Sequence, residues 1–209
     1  MDTTARLGGW LFRYRTAIPI PFAATILILR PEVSGDPGSW VTVTGLTLTM
    51  VGELVRIWAV RHIGTISRTR SDRLGPLVVT GPFALMRNPL YVGNVALWVG
   101  FALAARLTWG ALLIAVLLAV EYHAIVGWEE RLLEARVGET YRSYAGQVPR
   151  WIPRLTPVAE RHSELSVVGV RVAEQPGTLY SWRETFFSER GTLIAIVLGY
   201  LLLLAKARL

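Results

Sequence analysis

Five apolar runs bounded by basic residues divide this chain, and they constrain its fold more than any other feature. A bilayer core takes roughly 20 apolar residues as a helix, which satisfies its own backbone where no water can. The first run, Thr16 to Leu29, is short, but Tyr14, Arg15 and Arg30 extend it by snorkelling. No small-residue cleavage site follows it, so it reads as a retained span and not a signal peptide. The second, Trp40 to Val60, carries Gly45, Thr49 and Gly52 on one stripe. The third, Pro89 to Ala105, carries Gly93, Ala96, Gly100 and Ala104. Small residues in stripes let membrane helices approach closely. Arg106 to Gly110 is a tight turn, which makes a hairpin of the third and fourth spans.

The fourth run is apolar from Ala111 to Val120 and then turns polar with no proline to stop it. One helix should therefore leave the bilayer and continue to Val137, with Gly138 ending it. Beyond Leu155 the composition becomes polar, with weak alternation over Ser166 to Glu174. After Pro176-Gly177, the shared face of Leu179, Trp182 and Phe186 predicts an interfacial amphipathic helix. Gly191 to Ala205 reads as a fifth span.

These runs predict an all-α, polytopic integral membrane protein with about five transmembrane helices and a cytoplasmic cap. A core over residues 1–154 precedes an extension over 155–209. The chain has 209 residues, 52% of them hydrophobic, and a formal net charge of +7. Its arginines gather in the N-terminus, the His62–Leu90 connection and the segment after the fourth span, which four crossings place on one side. By the positive-inside rule that side is cytoplasmic. The charge therefore reports orientation, and nucleic acid is excluded as a partner because no basic stretch is interleaved with aromatics. Without cysteine, and with only three histidines, scattered at His62, His123 and His162, no metal site is expected.

Arg87-Asn88-Pro89-Leu90-Tyr91-Val92-Gly93 marks the start of the third span. Proline suits the first helical position and keeps the residue before it out of the α region, so a helix should start at Pro89 with Asn88 as its N-cap. Such a helix end favours an anion. On the fourth helix, His123, Gly127, Glu130 and Glu134 share a face, with Tyr122, Ile125 and Glu129 on a neighbouring one. Gly127 leaves room between His123 and Glu130. Glu129 and Glu130 share a compartment with Arg87, and together they offer a zwitterion site: carboxylates for an ammonium, and Arg87 with backbone N–H groups for a carboxylate. Tyr91, Trp128 and Trp151 add aromatic faces. Glu53 and Arg56 lie within the second span at a spacing that allows pairing, and intramembrane charge points to function.

Gly81-Pro82-Phe83, Arg87 to Gly93, Glu129-Glu130-Arg131-Leu132-Leu133, Gly138 to Tyr144 and Val148-Pro149-Arg150-Trp151-Ile152-Pro153 occur in that order. In sequence and spacing they resemble the isoprenylcysteine carboxyl methyltransferase and phospholipid methyltransferase superfamily, over roughly Trp40 to Pro153. The resemblance implies a membrane enzyme that binds S-adenosylmethionine on the cytoplasmic side and receives a lipid-like or prenylated acceptor from the bilayer. It carries the cofactor site onto Arg87, Asn88, Pro89, Tyr91, Gly93, Glu129 and Glu130. The family often has histidine where this chain has Asn88, so no imidazole role transfers there, and the tail from Leu155 has no counterpart in the pattern.

Methyl transfer from a sulfonium chiefly requires alignment of the reacting groups. A carboxylate acceptor needs no base, which favours O-methylation of the isoprenylcysteine type. An amine acceptor, as in phospholipid N-methylation, needs a base, for which Glu121, His123 and Glu53 are candidates. Arg56 can hold an acceptor carboxylate or phosphate. An NADPH-dependent membrane reductase and a non-enzymatic scaffold are the remaining alternatives; the first lacks a nicotinamide-phosphate signature and cofactor binding separates the second.

Overall fold

The computed structural model describes residues 3–32, 39–64, 77–156 and 179–208. His162, the alternation over Ser166 to Glu174 and Pro176-Gly177 lie outside these residues. The described residues form seven α-helices: α1 (Thr3–Tyr14), α2 (Pro19–Ile28), α3 (Trp40–Ile63), α4 (Pro89–Ala104), α5 (Thr108–Val137), α6 (Glu139–Gln147) and α7 (Trp182–Lys206). A 3-10 turn over Gly81–Ala84 precedes α4.

The centre is an antiparallel pair, α3 against α4, joined along the two small-residue stripes. A methyl group built on Gly45 would lie 2.3 Å from the Ala104 nitrogen, one on Gly52 2.7 Å from the Gly93 carbonyl, and one on Gly100 2.6 Å from the Thr49 nitrogen. Backbone meets backbone there, so dispersion and not hydrophobic exclusion holds the pair within lipid. The turn after α4 places Arg106 at φ 61°, and α5 returns alongside. Its Ala111, Ile114, Leu118, Tyr122 and Ile125 face the core while Leu112, Leu113, Val116 and Val120 are exposed, one apolar helix sorted into a packed face and a lipid face. At 1.5 Å per residue α5 is about 45 Å long, more than the roughly 30 Å hydrocarbon core, so its polar end must leave the membrane. Gly138, at φ 55°, ends it, as expected from the sequence.

Four expectations change. The N-terminal run is not one straight span: α1 and α2 are bent by 55°. Pro19 and Pro21 open α2, and the N–H groups they lack could not have continued α1. α1 instead lies on α5, where a methyl on Gly8 would meet the Ala124 carbonyl at 2.4 Å, and Phe12 stacks at 4.9 Å on Trp128. The interfacial helix and the fifth span are one continuous helix, α7, opened by a Ser181–Glu184 capping box. Gly191 interrupts neither, because a lone glycine in a helix costs only about 1 kcal/mol. Third, α4 has 16 residues, about 24 Å, so it is shorter than a bilayer core. Among the described residues, the all-helical membrane fold thus has three helices long and apolar enough to span, or four if the bent pair counts as one span. The fourth change concerns Asn88 and belongs with the site.

α7 runs antiparallel to α3. Tyr200 and Thr49 share a hydroxyl hydrogen bond of 2.8 Å, and the Tyr200 ring stacks at 4.7 Å on Phe101. At its end Lys206 donates to the Ile26 carbonyl of α2 at 2.8 Å. At its start the Tyr180 N–H donates to the Arg61 carbonyl at 3.1 Å, and the Arg61 guanidinium lies 3.9 Å from the Trp182 ring.

Candidate functional site

Pro89 opens α4 as predicted, but Asn88 makes no side-chain cap. Its Nδ2 donates to the Arg150 carbonyl at 3.2 Å instead. The cause is the segment over Val148 to Pro153, which lies along the approach to α4 and competes for that side chain. Arg87 N–H donates to the Pro149 carbonyl at 2.9 Å, Arg154 N–H to the Leu85 carbonyl at 3.0 Å, and Tyr144 hydroxyl to the Phe83 carbonyl at 2.8 Å. Asn88 is therefore a stitch between two segments, leaving the first N–H groups of α4 without a side-chain cap.

Arg150 is thereby brought beside Glu130. Its Nε donates to Glu130 Oε1 at 3.0 Å and its Nη2 to Oε2. Arg87 Nη1 lies 3.0 Å from the same Oε1. Two guanidiniums share one carboxylate, which leaves one positive charge over. Arg87 Nε is buried with no hydrogen-bond partner. Tyr141 completes the group, its hydroxyl accepting from Arg87 Nη1 at 3.4 Å. Burial foremost, then the Glu130 charge, pushes its phenol up to about 12, so it stays protonated at neutral pH.

These residues line one side of an open cavity of about 1040 Å³ between α1, α5, α6 and the strap formed by Val148 to Pro153. His123, Gly127, Glu130 and Glu134 of α5 all line it, the face expected from the sequence. A methyl built on Gly127 meets nothing within 4 Å, so this glycine keeps the cavity wide. Leu7 of α1 and Arg142 of α6 also line it.

The remaining predicted residues gather elsewhere. Glu129 Oε2 accepts from the Tyr91 hydroxyl at 3.0 Å, and Tyr91 stacks at 4.7 Å on Tyr122. Glu121 is buried, with Oε1 lacking a hydrogen-bond partner; His123 is exposed on the cavity. On α3, Arg56 Nε is 3.4 Å from Glu53, as the spacing predicted. Arg56 also donates to Asn94 Oδ1, to Glu189 Oε2 at 2.6 Å and to Thr192 Oγ1 at 3.3 Å. Gly93 exists beneath that side chain: a methyl there would lie 2.7 Å from Arg56 Cγ. The predicted residues thus divide into a rim group, Arg87 and Glu130 with His123, and an inner group, Glu53 and Arg56 with Gly93; Tyr91 pairs with Glu129 apart from the cavity lining.

Sequence reasoning missed Arg150, Tyr141, Asn94 and Glu189 as members of these groups. Arg150 and Tyr141 stood inside quoted motifs, so their charge and hydroxyl were visible signals. Glu189 offered only one, a carboxylate next to an apolar run.

A family model described as phospholipid methyltransferase matches residues 40–140. The chain is 31% identical over 169 residues to the nickel-cobalt-cadmium resistance protein NccN of Alcaligenes xylosoxydans xylosoxydans, covering 78% of this chain and 76% of that protein. It is 30% identical over 158 residues to the cobalt-zinc-cadmium resistance protein CzcN of Cupriavidus metallidurans, covering 74% and 66%. With protein-S-isoprenylcysteine O-methyltransferase B of Arabidopsis thaliana the identity is 29% over 118 residues, covering 54% and 60%. No solved structure matches. The chain belongs to the isoprenylcysteine carboxyl methyltransferase and phospholipid methyltransferase superfamily of membrane proteins.

Proposed function

We propose that this protein is an integral membrane methyltransferase that uses S-adenosylmethionine and methylates a lipid-like acceptor, with its N-terminus and cofactor site in the cytoplasm. The observation that carries the reading is the rim group. Two guanidiniums on one carboxylate, with Arg87 Nε lacking a partner, make an anion receptor beside a cavity of about 1040 Å³. These residues fit the cofactor's carboxylate, with Arg87 and Arg150 as donors and Glu130 as the bridge that orients them. Pro89 and Gly93 shape the helix start beside it, Asn88 fastens the strap, and Glu129, held by Tyr91, is the carboxylate for the ammonium. When bound, S-adenosylmethionine supplies the electrophilic methyl group, and the protein's part is alignment and exclusion of water.

Two acceptor chemistries follow. Carboxylate O-methylation needs no base and is supported by the likeness to an isoprenylcysteine O-methyltransferase. Amine N-methylation is supported by a geometric fact: Arg56, the residue best suited to hold an acceptor carboxylate, is already held by Glu53 and Glu189. Glu121, buried and with an unpartnered oxygen, is then the leading base, with Glu53 and His123 as the others. The deciding experiment supplies radiolabelled S-adenosylmethionine to the protein in liposomes with total lipid extract and with prenylcysteine analogues in parallel. Label in a base-labile ester supports the first chemistry, and label in a base-stable amine supports the second. Label only in water-soluble acceptors contradicts a lipid-like acceptor, and no transfer to any acceptor contradicts the enzyme reading.

A further inference from the structure

The arginine in the membrane interior is answered by a carboxylate from the far end of the chain. Glu189 is 1% exposed and sits in α7, outside the segment matched by the family model. Its Oε2 accepts from Arg56 Nη2 at 2.6 Å, while Thr192, one turn further along α7, accepts from the same nitrogen at 3.3 Å. Arg56 Nη1 donates to Asn94 and Nε faces Glu53 at 3.4 Å. Both Nη nitrogens are thus taken by protein oxygens, while Nε lies beside Glu53 without a hydrogen bond. An arginine binds an incoming carboxylate or phosphate through a free fork of donors, and Asn94 of α4 closes one prong of that fork while Glu189 and Thr192 of α7 close the other.

We infer that Glu189 is a specificity-determining residue: by occupying Arg56 it denies that guanidinium to anionic head groups. The inference rests on the acceptor site proposed above and deepens it. It is more than packing, for three reasons. Burying a carboxylate costs several kcal/mol unless it is paired, so an apolar residue would anchor α7 more cheaply. α7 already has anchors at Tyr200, Lys206 and Tyr180. Arg56 also lies over Gly93 and bonds Asn94 at the first turns of α4, so its occupancy is felt where the proposed cofactor motif ends.

The test places the full chain in phosphatidylcholine nanodiscs with a stearate that carries a photoreactive diazirine beside its carboxylate. Labelled peptides are then mapped by mass spectrometry. In the wild-type protein Arg56 and the residues packed around it stay unlabelled, while the exposed Met50, Val51 and Leu54 of α3 set the background. Glu189→Met keeps the length of the side chain but removes its acceptor oxygens, and labelling around Arg56 rises at least about tenfold, as expected for one new charge-assisted hydrogen bond between Arg56 and the stearate. Adding Arg56→Gln to that variant returns labelling to the wild-type level, which a loosened helix would not do. Labelling at Arg56 in the wild type overturns the inference by itself, even if the variant does not fold. So does an absence of any rise in a folded Glu189→Met protein, or a rise that survives the second substitution. Binding of S-adenosylhomocysteine by the same preparation is read separately, so failure of the cofactor reading and failure of this one are distinguishable.

Discussion

The rim and the inner group are the same device with the signs exchanged. On the rim, Arg87 and Arg150 share Glu130 beside an open cavity. Inside, Glu53 and Glu189 share Arg56 between packed helices. The first has a cation to spare and a place for a ligand; the second has its cation enclosed. An arginine in a membrane protein is thus defined less by its own charge than by how many carboxylates reach it and whether solvent does.

The comparison breaks most visibly at Arg56. Arg56→Ala leaves Glu53 and Glu189 buried side by side without their cation, a loss on the order of 3–5 kcal/mol. Thermal denaturation in detergent should show severe destabilisation or no folded protein. Arg150→Ala takes one of two cations from a more exposed carboxylate. The fold should survive, with S-adenosylhomocysteine affinity reduced about tenfold, the size of one lost charge-assisted hydrogen bond. Gly127 sharpens the contrast through space alone. With nothing near its built methyl, Gly127→Ala should raise stability by about 0.5–1 kcal/mol, whereas Gly127→Trp should narrow the cavity and weaken binding without unfolding the chain. The smallest effect belongs to Arg142, whose partners Glu134 and Glu139 lie 3.4 and 3.0 Å away at an exposed edge. Arg142→Ala should change stability by less than about 1 kcal/mol in the same denaturation assay.

Much of this was written locally. The small-residue stripes on the second and third runs found each other in α3 and α4, because a glycine face in lipid has little to do except admit another helix. The Glu53–Arg56 spacing, the unbroken α5 and the cavity-lining face with Gly127 followed from the helical period. What stayed hidden depended on distant partners. Asn88 has the side chain of a good cap, but a strap carbonyl more than 60 positions later competes for it. Glu189 stands 133 positions from Arg56, and no periodicity links them. The continuity of α7 was obscured by Arg190-Gly191, which reads as a boundary when the tail is taken as an appendage; its contacts with α3 show why it is not interrupted there.

The most direct test of the central claim, that the rim group receives S-adenosylmethionine, is calorimetric titration of S-adenosylhomocysteine into the wild-type, Arg87→Ala, Glu129→Gln and Glu130→Gln proteins. The account predicts one-to-one binding by the wild type and an affinity at least about tenfold weaker for Arg87→Ala, with both glutamine variants weakened. No binding by the wild type, or undiminished affinity in Arg87→Ala and both glutamine variants, would contradict it.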